Sequence, residues 1–224
     1  MLMFRNFEEV LAGARARGAI TIAVAAGHDP DAIEALKRAR ELGLGEGILV
    51  GNGAKIRALA DEAGLDLDAS QVINEPDDGA AIRQSIALVR ERRAGLLMKG
   101  KVATASLIRA VLDKDGGLRT GRLLSQSIVV QAPGFDRLMI ITDAAINIAP
   151  TLAQKAEICR NAIQVARALG IDTPNIAAEG QSLFQQHEDG KNCNPCEAHH
   201  AADKEKGHQG PAAADAIEAV AHAE

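Results

Sequence analysis

The segment Leu97-Met-Lys99-Gly100-Lys101-Val-Ala-Thr104-Ala-Ser106-Leu-Ile-Arg109 gathers ammonium groups, hydroxyls and a guanidinium around one glycine. Those residue types suit the capture of an oxyanion: hydroxyls and N–H groups donate, and cations balance the charge. If the segment is strand, turn, then helix, free backbone N–H groups at the helix start add to the set. Thr104 and Arg109 stand five residues apart, which is about 140° around a helix of 3.6 residues per turn. Arg109 therefore joins Thr104 only if its long side chain reaches back or the helix begins late. The competing reading is a capped, solvated helix start, and spacing alone leaves both open.

Other polar groups fall at the ends of apolar runs. His28 follows Ala19–Ala26 at a strand end, where it either orients a ligand or packs within a loop. Thr142-Asp143-Ala-Ala-Ile-Asn147-Ile-Ala-Pro150 puts a carboxylate and an amide just past another apolar run, suited to positioning a polar substrate or to capping the next helix. Asp113–Arg122 carries Arg119 and Arg122 in a glycine-rich charged loop, able to meet phosphates or simply solvated. Cys193-Asn-Pro-Cys196 with His199, His200 and His208 has metal-ligand chemistry, but its second pair lacks zinc-finger spacing and no apolar core surrounds it. Gly43-Leu-Gly45-Glu-Gly47 has the wrong order for a dinucleotide fingerprint, because it follows a helix and precedes a strand; it reads as a C-cap and loop. Gly51-Asn52-Gly53 reads as a tight turn.

The elements that must hold these groups alternate βα through most of the chain. Asn6 with Glu9 starts a helix reaching about Arg17. Ala19–Ala26 is a strand, Asp29-Pro30 opens a helix to about Leu42, and Gly47–Val50 is a second strand. A helix carrying Ile56 and Leu59 follows, then a short strand at Val72-Ile73. A helix after Pro76 ends near Arg93, a strand begins at Gly95, and another helix spans about Ala103–Asp113. Ser127–Gln131 and Arg137–Thr142 flank a connection too short for a crossover helix, so they are expected to pair antiparallel and make the sheet mixed. Thr151 caps a last helix that ends at Leu169-Gly170. Beyond Ile176 large apolar residues are few, and the tail 177–224 is expected to be disordered, or weakly helical near its end.

Composition narrows the function classes. The 224 residues carry 25 Lys+Arg against 30 Asp+Glu, a net charge of -5, which speaks against a nucleic-acid surface. Aromatic residues are 2%, without Trp or Tyr, so stacking platforms for bases are scarce. No apolar run approaches the roughly 20 residues of a membrane span. The start lacks a signal-peptide pattern and three cysteines give no disulfide framework, so a cytoplasmic location is expected.

Taken in order, Leu-Met-Lys99-Gly100, Ala103-Thr104-Ala-Ser106-Leu-Ile-Arg109, Gly-Leu-Arg119-Thr-Gly-Arg122, Pro133-Gly-Phe-Asp-Arg137-Leu, Thr142-Asp143 to Pro150 and Gln154-Lys155-Ala-Glu-Ile resemble the phosphate acetyltransferase and phosphate butyryltransferase family, the butyryltransferase branch more closely. The resemblance covers about Phe4–Ile176. It implies an α/β fold of the isocitrate/isopropylmalate dehydrogenase-like type, with two domains around a cleft. Residues 1–125 would form the first domain and 126–176 the start of an incomplete second. It also implies a phosphate acyltransferase converting acyl-CoA and phosphate into acyl phosphate and CoA, with no cofactor beyond CoA as substrate, and a homodimer. Thr104 and Arg109 match the family's phosphate-binding hydroxyl and arginine. Asp143 and Asn147 match its acid-and-asparagine motif, and His28, Lys99 and Arg119 are expected along the substrate and CoA cleft. The family's later Ser-Arg and Asp have no counterpart in this sequence, so the chain is expected to be truncated or replaced after about Ile176, with loss of activity as one consequence. Two other readings stay open: a noncatalytic CoA- or phosphate-binding module, and a metal-binding interaction protein using Cys193, Cys196, His199 and His200.

Overall fold

The structure is a computed structural model and describes residues 3–179 and 218–222. Its contacts group the chain into two compact units, one of Leu11–Gly121 and one of Met1–Val10 with Arg122–Glu224.

In chain order the elements are α1 (Phe7–Ala16), β1 (Ile20–Ala25), α2 (Pro30–Glu41), β2 (Gly45–Gly51), α3 (Gly53–Ala63), β3 (Val72–Asn74), α4 (Asp78–Arg90), β4 (Leu96–Lys99) and α5 (Thr104–Val111). Then come β5 (Ile128–Gln131), β6 (Leu138–Thr142), α6 (Leu152–Ala168), β7 (Asn175–Glu179) and β8 (Glu218–His222).

The unit of Leu11–Gly121 is built on a parallel sheet in the order β3-β2-β1-β4. Successive residues of a strand face opposite sides, and β1 uses both. Ile22 and Val24 pack with Ile33 and Leu36 of α2 and Ile56 of α3. Ala23 and Ala25 face the other way, toward Ala81, Ile82, Ile86 and Leu88 of α4. Burying such Ile and Leu side chains contributes about 1.5–3 kcal/mol each before conformational entropy is subtracted. Helices therefore cover both faces: α2 and α3 on one, α4 and α5 on the other.

Helix starts follow their caps. Asp29 accepts from the Asp31 N–H ahead of Pro30, Asn52 from Lys55, and Asp77 from Ala80. Gly43 is a loop residue with φ of 68°, as expected. Gly45, read as loop from sequence, lies inside β2 with Gly47, so the strand begins two residues before the expected Gly47. Tight packing is the reason: a Cβ on Gly45 would stand 2.5 Å from the Ile20 carbonyl oxygen, and one on Gly47 would stand 2.2 Å from a Leu36 methyl.

In the second unit β5 and β6 pair antiparallel, as their short connection requires. They do not join the parallel sheet; a separate antiparallel sheet runs β5-β6-β8-β7. The expected single mixed sheet is thus two sheets, since hydrogen bonding continues from β6 to β8, not to β4. The tail is corrected at both described ends, because Glu218–His222 pairs with β6 on one side and β7 on the other. Residues 180–217 lie outside the described residues. Helix α6 begins with a reciprocal Thr151–Gln154 capping box and buries Ile158, Ala162 and Ala166, the last two against Leu138 and Ile140. The N-terminal segment joins this core through Phe4, whose N–H donates to the Leu169 carbonyl at 2.9 Å.

Candidate functional site

Helices change faces between β1 and β4: the helix after β1 covers one side of the sheet, and the helices around β4 cover the other. Open α/β sheets place ligands in the crevice at such a switch point, outside the carboxyl ends of the strands. His28 follows β1 there and Lys99 ends β4, with Ala25 and Lys99 in register. The anion segment expected from sequence thus sits at the sheet edge where open α/β sheets place their ligands.

The β4–α5 turn is held tightly. Gly100 donates to the Ala25 carbonyl at 2.8 Å and Lys101 to the Ala26 carbonyl at 3.0 Å. The Lys99 ammonium donates to the carbonyls of Gly100 and Val102 at 3.1 and 3.2 Å, so two of its three donors close the turn. Thr104 is the first residue of α5 and is exposed. The N-cap residue is Ala103, which makes no side-chain cap bond, unlike Asp29, Asn52, Asp77 and Thr151 at their helices. The partial positive charge of this helix start, roughly half an elementary unit, has no side-chain acceptor beside it.

Arg109 does not sit with Thr104. It lies in the last turn of α5, in a cleft with Ser106, Ala110 and the facing side of α4. The five-residue spacing had this consequence built in, and the signal missed was Ser106, one turn before Arg109 on the same stripe. Arg119 is exposed on the loop after α5.

His28 is oriented by its neighbours. Its Nε2 stands 3.8 Å from an Asp78 carboxylate oxygen, with 12% of the side chain exposed. Its Nδ1 is buried and has no hydrogen-bond partner among the described residues. The ring packs against Gly51, where a Cβ would come within 2.8 Å of Nδ1.

In the other unit, Asp143 and Asn147 are brought together directly. Asp143 is 8% exposed, and one carboxylate oxygen accepts from the N–H groups of Ala145 and Ile146 at 3.3 and 3.0 Å. The other accepts from the Asn147 amide, which also donates to the Leu124 carbonyl at 3.0 Å. Thr142 donates its hydroxyl to the Gln126 carbonyl. Asn161 of α6 donates to the Leu123 carbonyl at 2.9 Å and to Ser125 Oγ at 2.8 Å, and accepts from Arg122 at 2.8 Å. Three polar side chains therefore clamp segment 122–126. Asn161-Ala belongs to the family-like run after Gln154-Lys155, but the sequence assigns Asn161 no role; an amide on the buried side of a helix is the available signal.

Removing one member of this clamp leaves partly buried acceptors unpaired. Asn147→Ala is expected to cost about 1–3 kcal/mol, seen as a lower urea midpoint. A midpoint equal to that of the unaltered chain would show that the amide locks nothing.

Cys193, Cys196, His199 and His200 lie outside the described residues. Among the described residues, no group of three or more His, Cys, Asp or Glu is placed to hold a metal ion. No helix among them is long and apolar enough to cross a membrane. Burial pushes the Cys159 thiol above its ordinary pKa, so it is a poor nucleophile at neutral pH.

Comparison with known proteins agrees on one family. Residues 78–204 match the family described as phosphate acetyl/butaryl transferase. The chain is 36% identical over 175 residues to a phosphate butyryltransferase of Clostridium acetobutylicum, covering 78% of this chain and 58% of that protein. It is 39% identical over 172 residues to a phosphate acetyltransferase of Rhizobium meliloti, covering 77% of this chain and 54% of that protein. The chain thus spans little more than half the length of these curated relatives. A solved branched-chain phosphotransacylase from Enterococcus faecalis V583 superposes with a TM-score of 0.58 at 28% identity, over 69% of this chain and 54% of that one. A phosphotransacetylase from Streptococcus pyogenes shares the fold, with a TM-score of 0.63 at 20% identity over 85% of this chain and 65% of that one. With the family match running over residues 78–204, more than half of its length, the chain belongs to the phosphate acetyl/butaryl transferase family.

Proposed function

We propose that this chain acts in phosphate acyl transfer, converting acyl-CoA and inorganic phosphate into acyl phosphate and free CoA. The observation that carries the proposal is the β4–α5 turn: a helix start with no side-chain cap, preceded by Lys99 and Lys101, at the sheet's switch point. Phosphate is to be held by the Thr104 hydroxyl, the first N–H groups of α5 and the Arg109 guanidinium, whose long side chain has to leave the α4–α5 cleft and turn back toward the helix start. A phosphate oxygen then attacks the thioester carbonyl carbon, the C–S bond breaks, and the thiolate takes up a proton. The thiolate is a good leaving group, so positioning and oxyanion stabilisation supply most of the rate. His28, Lys99, Arg119, Asp143 and Asn147 are assigned to the substrate and CoA cleft. An isocitrate/isopropylmalate dehydrogenase-like arrangement, a cytoplasmic location and a homodimer belong to the same proposal.

The test is turnover of the full chain with butyryl-CoA or acetyl-CoA and phosphate, with acyl phosphate trapped by hydroxylamine. Phosphate-dependent hydroxamate is the expected result. Saturable CoA binding with no hydroxamate would replace the enzyme reading with a noncatalytic binding module.

A further inference from the structure

We propose that Lys155 is a positioning residue, the buried counter-charge of Asp143, and that through this carboxylate it sets the loop carrying Asn147. Four polar or charged side chains are buried among the described residues, Ser85, Thr142, Asp143 and Lys155, and only the last two carry charge. Their signs are opposite, and they flank one connection, from β6 into α6. The Ser85 hydroxyl donates to the Ala81 carbonyl at 2.8 Å, and that of Thr142 to the Gln126 carbonyl. Lys155 is 4% exposed, and its ammonium has no hydrogen-bond or ion-pair partner among the described residues. A buried ammonium without compensation opposes folding, so it needs an opposite charge nearby.

Topology places that charge. Lys155 lies on the stripe of α6 that carries Ile158, Ala162 and Ala166, the last two packed against Leu138 and Ile140 of β6. Asn161 reaches Leu123 and Ser125, which precede β5; because Ile128 pairs antiparallel with Ile141, those residues lie past the carboxyl end of β6. The start of α6 therefore overhangs that end, where the chain leaves the strand through Asp143. Helical side chains lean toward their own N-terminus, which carries Lys155 further toward the loop of Asp143 and Asn147. Gln126, opposite Asp143 if the ladder is continued, adds a buried side-chain oxygen with no hydrogen-bond partner among the described residues. Glu157, the one acid of α6, is already paired with Arg122 and Arg160.

Asp143 and Lys155 make no direct ion pair, so the coupling acts across a gap. Buried charges are screened little by salt, and their attraction outlasts contact distance. What it favours is the ionised carboxylate. In that form both oxygens accept, and the donors Ala145, Ile146 and Asn147 are all satisfied. A protonated carboxyl would turn an O–H toward one of those donors. Asn147 would then lose its hold, and with it the Leu124 carbonyl its donor. That this loop belongs to a substrate cleft rests on the acyl-transfer reading; the charge coupling does not.

A double-mutant cycle read by urea unfolding of the full chain tests it. Lys155→Met, which removes the charge and nearly keeps the length, should raise the unfolding equilibrium constant about tenfold or more. In an Asp143→Asn background the same change should raise it less than about threefold, or lower it, because the ammonium there has no counter-charge to lose. Lys114→Met, at an exposed lysine after α5, should act equally in both backgrounds. Packing alone would give Lys155→Met the same effect with and without the Asp143 charge, and that result overturns the proposal. So does a Lys155→Met chain as stable as the unaltered one. If Lys155→Met does not fold, folding of the double variant supports the coupling and failure of both overturns it. The Asn147 side-chain amide gives a second readout. Its NMR resonances, identified by their loss in Asn147→Ala, should shift in Lys155→Met and stay in place in Lys155→Arg, which keeps the charge; equal shifts in both would count against the charge. Hydroxamate formation is separate: its absence from the unaltered chain would sink the acyl-transfer reading alone, and additive stabilities would sink this one alone.

Discussion

Replacing Arg109 by alanine is expected to raise the phosphate concentration needed for half-maximal turnover by about 10- to 150-fold, the equivalent of one lost charge-assisted hydrogen-bonding group worth about 1.5–3 kcal/mol. The guanidinium is a natural instrument for this anion, since its donors form a fixed fork that pairs two oxygens at once. Among the described residues no carboxylate competes for it, so it is free to meet a ligand without first breaking an ion pair. The comparison is Arg38→Ala, which removes an exposed arginine paired with Glu41 at 3.2 Å on α2. Surface pairs of that kind contribute little, and the phosphate requirement should be unchanged. Steady-state kinetics with phosphate varied at saturating acyl-CoA gives the answer. A shift in the phosphate term with kcat nearly preserved identifies ground-state binding. Equal behaviour of the two variants would remove Arg109 from the phosphate site.

The separation of Arg109 from Thr104 along α5 shows what sequence conveys and what it withholds. Local rules were legible wherever one residue satisfies a neighbour: Asp29 before Pro30, Asn6 with Glu9, Thr151 with Gln154, and Gly170 with φ of 82° all mark helix ends at the places their chemistry requires. The strand-turn-helix around Gly100 was legible for the same reason, and with it the anion segment. Pairing between distant strands was not. Whether β6 continues toward β4 or toward Glu218–His222 depends on partners far away in the chain, and nothing within Arg137–Thr142 encodes the choice. Gly45 read as loop because glycine usually marks one; only the approach of Ile20 explains why a strand needs it. Asn161 likewise acquires its role from segment 122–126, some 36–39 residues earlier.

The largest stability effect is expected at Gly100. Gly100→Ala should lower stability by about 3 kcal/mol or more, the upper range for overpacking a tightly packed site, with a melting temperature lower by roughly 6–12 °C in a chain of this size. The obstacle is backbone: an added Cβ would stand 2.3 Å from the Ala26 carbonyl oxygen and 2.8 Å from that of Ala25. Neither oxygen can swing aside as a side chain would. Ala25 accepts from the Gly100 N–H and Ala26 from the Lys101 N–H, so separating the chains to make room breaks the bonds joining β1 to the β4–α5 turn. Ala26 already holds φ of 52°, a conformation with little tolerance for further distortion. Gly95→Ala, at the entrance to the same strand, is the control. Its nearest neighbour would be the Ile20 Cβ at 3.9 Å, an ordinary contact, so the change should be neutral or slightly stabilising. Because the Gly100 turn positions Lys101 and Thr104 against β1, Gly100→Ala should also abolish phosphate-dependent turnover at temperatures where its circular dichroism is still native. Urea melts that place the two variants within 0.5 kcal/mol of each other, a difference at the level of ordinary surface substitutions, would mean that the turn yields without cost, and the rigid hold on the anion segment would have to be abandoned.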